Sequence, residues 1–161
     1  MEKQPKEERA VTVSPLTDEI SKALQEKEQE AKVLLKLSGD EAPELVVENI
    51  KNFVKTLLLQ GHSQEDLKEY ALKFGALWGK MVIKEYSWTW KHLDFGDGIQ
   101  GIYVVSPNSF YCCPPLFFLN KILMGQNKGL DGNNDNTVLL LFNMMNNIEK
   151  QEPPRKFQTI S

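Results

Sequence analysis

The chain has 161 residues, 41% of them hydrophobic and 25% charged, with a net charge of −3. That length suits one domain whose core needs neither a metal nor a disulfide. Lys and Arg are scattered rather than clustered, which argues against a phosphate-tracking surface, and the longest apolar runs, residues 116–119 and 138–142, are too short to cross a bilayer.

Residues 1–15 are charged, contain two prolines and have little to bury, so they are expected to form a flexible N-terminal arm. A first helix is predicted from Thr17, with Thr17 as its cap and Asp18 and Glu19 on the positive end of the dipole, ending near Ser38-Gly39. Its middle, residues 25–30, is almost wholly polar, so it should bury little. A second helix runs from Pro43 to Gln60, where Val46, Val47, Ile50, Phe53, Val54, Leu57 and Leu58 recur at helical spacing. A third starts at Ser63, three residues before Asp66, and places Gly75 and Gly79 on one face. In a helix of a soluble protein, that pair points to close approach by another element.

The period then changes from helical to alternating. Tyr86, Trp88, Trp90 and His92 alternate with Ser87, Thr89, Lys91 and Leu93, which predicts a strand with an aromatic face and a more polar, solvent-facing one. The segment Asp94-Phe95-Gly96-Asp97-Gly98 supplies a turn. A second strand covers residues 99–105 and a short third one residues 109–112, as a meander. Pro114-Pro115 opens a fourth helix, which Gly125 ends. Residues 126–136, rich in Gly, Asn and Asp, read as an exposed loop, and a fifth helix follows over residues 136–150. The expected fold class is therefore α+β: N-terminal helices, a small antiparallel sheet of about three strands, and two C-terminal helices. Residues 16–150 form the single domain and residues 151–161 a C-terminal tail.

Gly75-x-x-x-Gly79, Trp88-x-Trp90, the Gly-rich turn, Val104-Val105-Ser106-Pro107 and Pro114-Pro115 before an apolar helix form an ordered set. Over residues 65–145 this set resembles a group of small bacterial domains of unknown function. In those, a glycine-containing helix leads into a Trp-bearing hairpin and a proline-started helix. Bacterial immunity proteins, which bind and block a toxin, are similar in size, acidity and mixed helix-and-sheet composition. The resemblance carries fold order and brings no catalytic residues.

Cys112 and Cys113 are the most reactive side chains in the chain. A thiol reaction would need His92 within hydrogen-bond reach of a sulfur and Asp94 or Asp97 to orient it. The plainer reading puts the cysteines in or near the core, because an unbridged Cys behaves as a small hydrophobe. Unbridged thiols suit a reducing compartment, and no apolar stretch follows the charged N-terminus within signal-peptide range, so a cytoplasmic protein is expected. Asp131-x-Asn133-x-Asp135 begins like a calcium loop but has Asn136 and Phe142 where such a loop needs Gly and an acid. It reads instead as a loop capping the fifth helix.

The residues singled out for ligand or partner contact are Tyr86, Trp88, Trp90, His92, Tyr103 and Cys112. These aromatics are core if helices cover their face of the sheet, and a concave recognition surface if that face is open. No catalytic residue, metal ligand or cofactor is assigned. The leading functional expectation is a non-enzymatic protein-binding domain, immunity- or inhibitor-like, with another protein as partner and neither nucleic acid nor membrane. Two alternatives stand beside it. One is a small-molecule-binding domain or thiol enzyme built on the aromatic sheet. The other is a structural subunit that dimerises through the fifth helix with Met144 and Met145 outward.

Overall fold

The computed structural model describes residues 11–109, 111–125, 135–148 and 158–159. Helix α1 (Asp18–Leu34) begins where Thr17 Oγ1 accepts the Ile20 N–H at 3.2 Å. It ends earlier than predicted, at Leu34. Lys36 turns the chain with φ of 57°, and the Leu37 N–H returns to the Lys32 carbonyl at 3.0 Å. A lysine, rather than Gly39, supplies the left-handed residue that closes the helix. Glu41 then ties the loop by accepting the N–H groups of Ser38 and Gly39 at 2.8 and 2.9 Å. Those donors, Ser38 first and then Gly39, lower its carboxyl pKa to about 2.

Helix α2 (Pro43–Leu59) buries the predicted stripe of Val46, Val47, Ile50, Val54 and Leu57. Helix α3 (Gln64–Tyr86) starts at Ser63, whose Oγ accepts the Asp66 N–H at 3.1 Å. From Phe74 to Gly79 every residue of α3 is buried. A helix covered on all sides is a central one, and its neighbours supply the cover. Phe53 of α2 packs on Phe74 with ring centroids 5.0 Å apart. The polar middle of α1 reaches α3 through Lys27 with Glu69, and through Lys73 of α3 with Glu30 at 3.6 Å. Charge pairs of partly exposed side chains replace the missing apolar stripe there and add little stability.

Ser87, with φ of 64°, ends α3 and releases the chain into strand β2 (Thr89–Gly96). Tyr86 is therefore the last helical residue, where alternation had placed it in the strand. Strand β3 (Ile99–Val105) returns across the two-residue turn Asp97-Gly98, whose φ values of 55° and 79° are those of the turn that matches sheet twist. Strand β2 continues through Asp94 to Gly96, with an irregularity in register between those two residues. Strand β4 (Tyr111–Cys113) pairs antiparallel with the end of β3. Strand β1 (Thr12–Ser14) pairs antiparallel with the outer edge of β2, so part of the segment read as an arm is sheet. Its Thr and Val suit an edge strand, although three residues carry too weak a pattern to be read alone. The antiparallel sheet thus has four strands rather than about three. Strand β5 (Gln158–Thr159), within the segment read as a tail, pairs parallel with β4. The sheet order is β1-β2-β3-β4-β5.

Helix α4 (Pro115–Leu123) and helix α5 (Asp135–Ile148) complete the helical layer. The calcium-like loop lies largely outside the described residues. Both faces of the sheet carry buried apolar side chains. The row Trp90, Val104 and Cys113 joins the helical core, whereas Leu93, Val105 and Cys112 form a second apolar cluster on the opposite face with Val11, Phe95 and Tyr103. The face expected to be polar and solvent-facing is polar only at its start, at Thr89 and Lys91. Two residues further along the same strand, Leu93 is wholly buried.

The glycines of α3 act at the junction of these layers. A Cβ on Gly75 would lie 2.8 Å from the Leu116 Cα, and one on Gly79 would lie 2.4 Å from the Trp90 ring and 3.1 Å from Pro115 Cγ. Both distances to Leu116 and Trp90 are below real contact. The first turn of α4 and the indole of β2 therefore rest directly on α3 backbone. Gly75→Ala gains about 1 kcal/mol of helix propensity but overpacks against backbone at a cost of about 1–3 kcal/mol. Net destabilisation in urea unfolding is expected, while Gly61→Ala, where a Cβ meets nothing within 4 Å, should be nearly neutral. Equal effects at the two sites would show that the close approach carries no weight.

Candidate functional site

The six residues singled out from sequence do not converge. Tyr86, at the end of α3, packs half-buried on Phe142 with centroids 5.1 Å apart, and burial followed by Glu85 and Glu44 raises its hydroxyl pKa. Trp88 is wholly buried, and its Nε1–H finds no hydrogen-bond partner among the described residues. Trp78, by contrast, donates its Nε1–H to the Val138 carbonyl at 3.0 Å and so fixes α5 to α3. Trp90 is half-buried over Gly79. It also lines a hollow of about 120 Å³ with Leu16, Ser21, Leu24, Gln25, Glu28 and Lys80. Trp88 is thus core, and Trp90 is core on one side only.

His92 and Cys112 belong to opposite faces of the sheet. His92 pairs with Ile102, two residues from the Trp90–Val104–Cys113 row, while Cys112 lies in the Thr89–Val105 row. Cys113 does share the His92 face. It stands two strands across and two residues along, about 12 Å away on strand spacings. That is far beyond proton transfer. Both cysteines are wholly buried and neither is in a disulfide. Burial, and then the neighbouring Cys112, pushes the Cys113 thiol well above its ordinary range. These positions disfavour a thiol nucleophile. Among the described residues no group of three His, Cys, Asp or Glu side chains stands close enough to hold a metal ion.

Another surface has the shape of a binding site. A groove of about 510 Å³ runs between residues 98–103, on the turn and first half of β3, and Pro114, Leu116 and Phe117 at the start of α4. Its rims are apolar and open: Ile99 is 59% exposed and Phe117 58%. Lys121, one turn further along α4, holds its Nζ 5.5 Å from the Phe117 ring centroid. Tyr103 is the sole member of the sequence-derived set that lines this groove. The Phe95 ring meets Tyr103 edge-on at 5.4 Å, and burial, followed by Cys112 and Cys113, raises the Tyr103 hydroxyl pKa.

Sequence reading missed the groove for a physical reason. Phe117-Phe118 reads as one apolar doublet, yet adjacent helical residues point about 100° apart. Phe118 is buried against Trp78 at 5.0 Å, and Phe117 is left outside. Ile99 directly after the tight turn was the other available signal, because a large aliphatic at a hairpin tip has no strand behind it to cover it. Compared with known protein families, with curated proteins and with solved structures, the chain matches none.

With both thiols buried, the native protein should react with an aromatic disulfide reagent at neither Cys112 nor Cys113, and at both once unfolded in guanidinium. Rapid release of one equivalent from the folded chain would mean that one sulfur is open to solvent and would return a thiol role to consideration.

Proposed function

We propose that this protein works by contact, as a non-enzymatic domain that binds another protein through the groove between β3 and α4. The observation that carries this reading is the pair of large apolar side chains, Ile99 and Phe117, left more than half exposed on the two rims of one recess. Exposed hydrophobes scattered singly are ordinary, but a pair that flanks a recess marks a contact site. An inhibitor- or immunity-like role fits such a surface. The two buried, unbridged cysteines support a cytoplasmic setting as part of the same reading. Among the described residues no helix is long and apolar enough to cross a membrane.

The alternatives have less behind them. The hollow beside Trp90, at about 120 Å³, is smaller than the roughly 300 Å³ at which ligand pockets begin. The groove is large enough in volume, but its open rims would leave a small ligand largely in water. Dimerisation through α5 was expected to turn Met144 and Met145 outward together. Met144 is 57% exposed and Met145 is buried, so that helix offers Leu140 and Met144 instead.

The test is affinity capture from the protein's own host with the whole chain and with Phe117→Asp, checked by circular dichroism for equal folding. A stoichiometric protein retained by the parent and lost with Phe117→Asp is expected. A partner held equally by both would move the contact elsewhere, and turnover of a substrate by the purified chain would overturn the non-enzymatic reading.

A further inference from the structure

We infer that the groove takes an extended segment of its partner as an added β-strand along the first half of β3, which deepens the contact reading above and rests on it. The inference comes from the hydrogen-bond register. In an antiparallel strand the N–H and C=O of one residue point to the same neighbour, and alternate residues point to opposite neighbours. The Ser106 N–H bonds the Tyr111 carbonyl at 2.9 Å, and Val104 stands opposite Cys113, so even-numbered residues of this strand face β4. Residues 99, 101, 103 and 105 face β2. Ile102 and Gln100 therefore aim their main-chain groups at the side where β4 would continue. Strand β4 does not continue, because it stops at Cys113 and Pro114 turns the chain toward α4. Among the described residues no strand pairs with this half of β3 on that side.

The open edge and the groove are the same place, since residues 98–103 form one wall of the recess. An unpaired row of main-chain donors and acceptors selects an extended backbone, whatever its side chains. The other wall selects the side chains. Leu116 and Phe117 make it apolar, so every second residue of an added strand should be apolar and the residues between polar. Five residues of β3, 99–103, offer a length of about 17 Å at ordinary strand rise. A second copy of this chain would bring the same recess, and two recesses placed edge to edge would leave the α4 wall uncovered. A single strand from a partner fills it.

The test pans a phage-displayed library of random linear dodecapeptides on the whole chain and then synthesises the enriched peptide with N-methyl groups on alternate residues. The result expected is a peptide with apolar residues at every second position that binds the parent and not Phe117→Asp. N-methylation of one alternating set should weaken it at least about tenfold, and of the other set about threefold at most, with new exchange protection at the Gln100 and Ile102 amides. Because the methyl groups are on the peptide, folding of the protein is not at issue. If neither set matters while Phe117→Asp still abolishes binding, strand addition is wrong and the contact reading stands. If no peptide is enriched, or none responds to Phe117→Asp, both fall. A concentration-dependent dimer lost with Ile102→Pro would assign the edge to a second copy and overturn the inference.

Discussion

The close approach of α4 and β2 to the backbone of α3 is the constraint on which the rest of the arrangement depends. Gly75 and Gly79 lie one helical turn apart and present no side chain. Leu116, Pro115 and the Trp90 indole occupy the space where side chains would stand. Packed interiors tolerate neither gaps nor overlaps of a methyl group. With two ordinary residues here, the helical layer and the sheet would have to separate, and the Trp90–Val104–Cys113 row would lose its seat. The remaining core contacts, such as Trp78 with Phe118 and with the Val138 carbonyl, then hold α4 and α5 around the same helix.

The same contact shapes the surface. With Pro115 and Leu116 held against α3, the chain must leave the sheet as soon as β4 has made its short pairing with Val104 and Val105. That early departure leaves the first half of β3 with no paired strand on one side among the described residues and stands the first turn of α4 beside it. The groove between β3 and α4 thus follows from a packing requirement in the interior. Natural sheets usually cover, shorten or charge such edges. Here the edge is flanked instead by two large exposed apolar side chains, Ile99 and Phe117.

The sequence revealed the helices well, because their signals are local and redundant. Thr17 and Ser63 cap where predicted, Pro43 opens α2, and of the α2 stripe Val46, Val47, Ile50, Val54 and Leu57 are buried while Phe53 and Leu58 are partly so. The α+β class and the glycine close approach were also legible, the latter because a GxxxG spacing on a soluble helix has few other uses. Boundaries set by non-glycine residues in the left-handed region were not. Lys36 and Ser87 end their helices without announcing it, and so Tyr86 was read into the strand. Strands β1 and β5 are too short to carry a period, and the second face of the sheet was misread because Leu93 follows Thr89 and Lys91. The candidate site was least legible. Aromatic side chains advertise burial and recognition alike, and which of the two Trp88 or Phe117 serves depends on tertiary neighbours that one sequence does not show.

A double-mutant cycle on Gly79 and Trp90 tests the central constraint most directly, because a Cβ on Gly79 and the Trp90 ring claim the same volume. Stability would be measured by urea unfolding for the parent, Gly79→Ala, Trp90→Val and the double variant. If the indole sets the need for glycine, Gly79→Ala should destabilise the parent and become neutral or stabilising once Trp90 is Val, with a coupling of about 1 kcal/mol or more. Additive effects within about 0.3–0.5 kcal/mol would contradict the account. They would mean that α3 and β2 do not depend on this contact for their spacing.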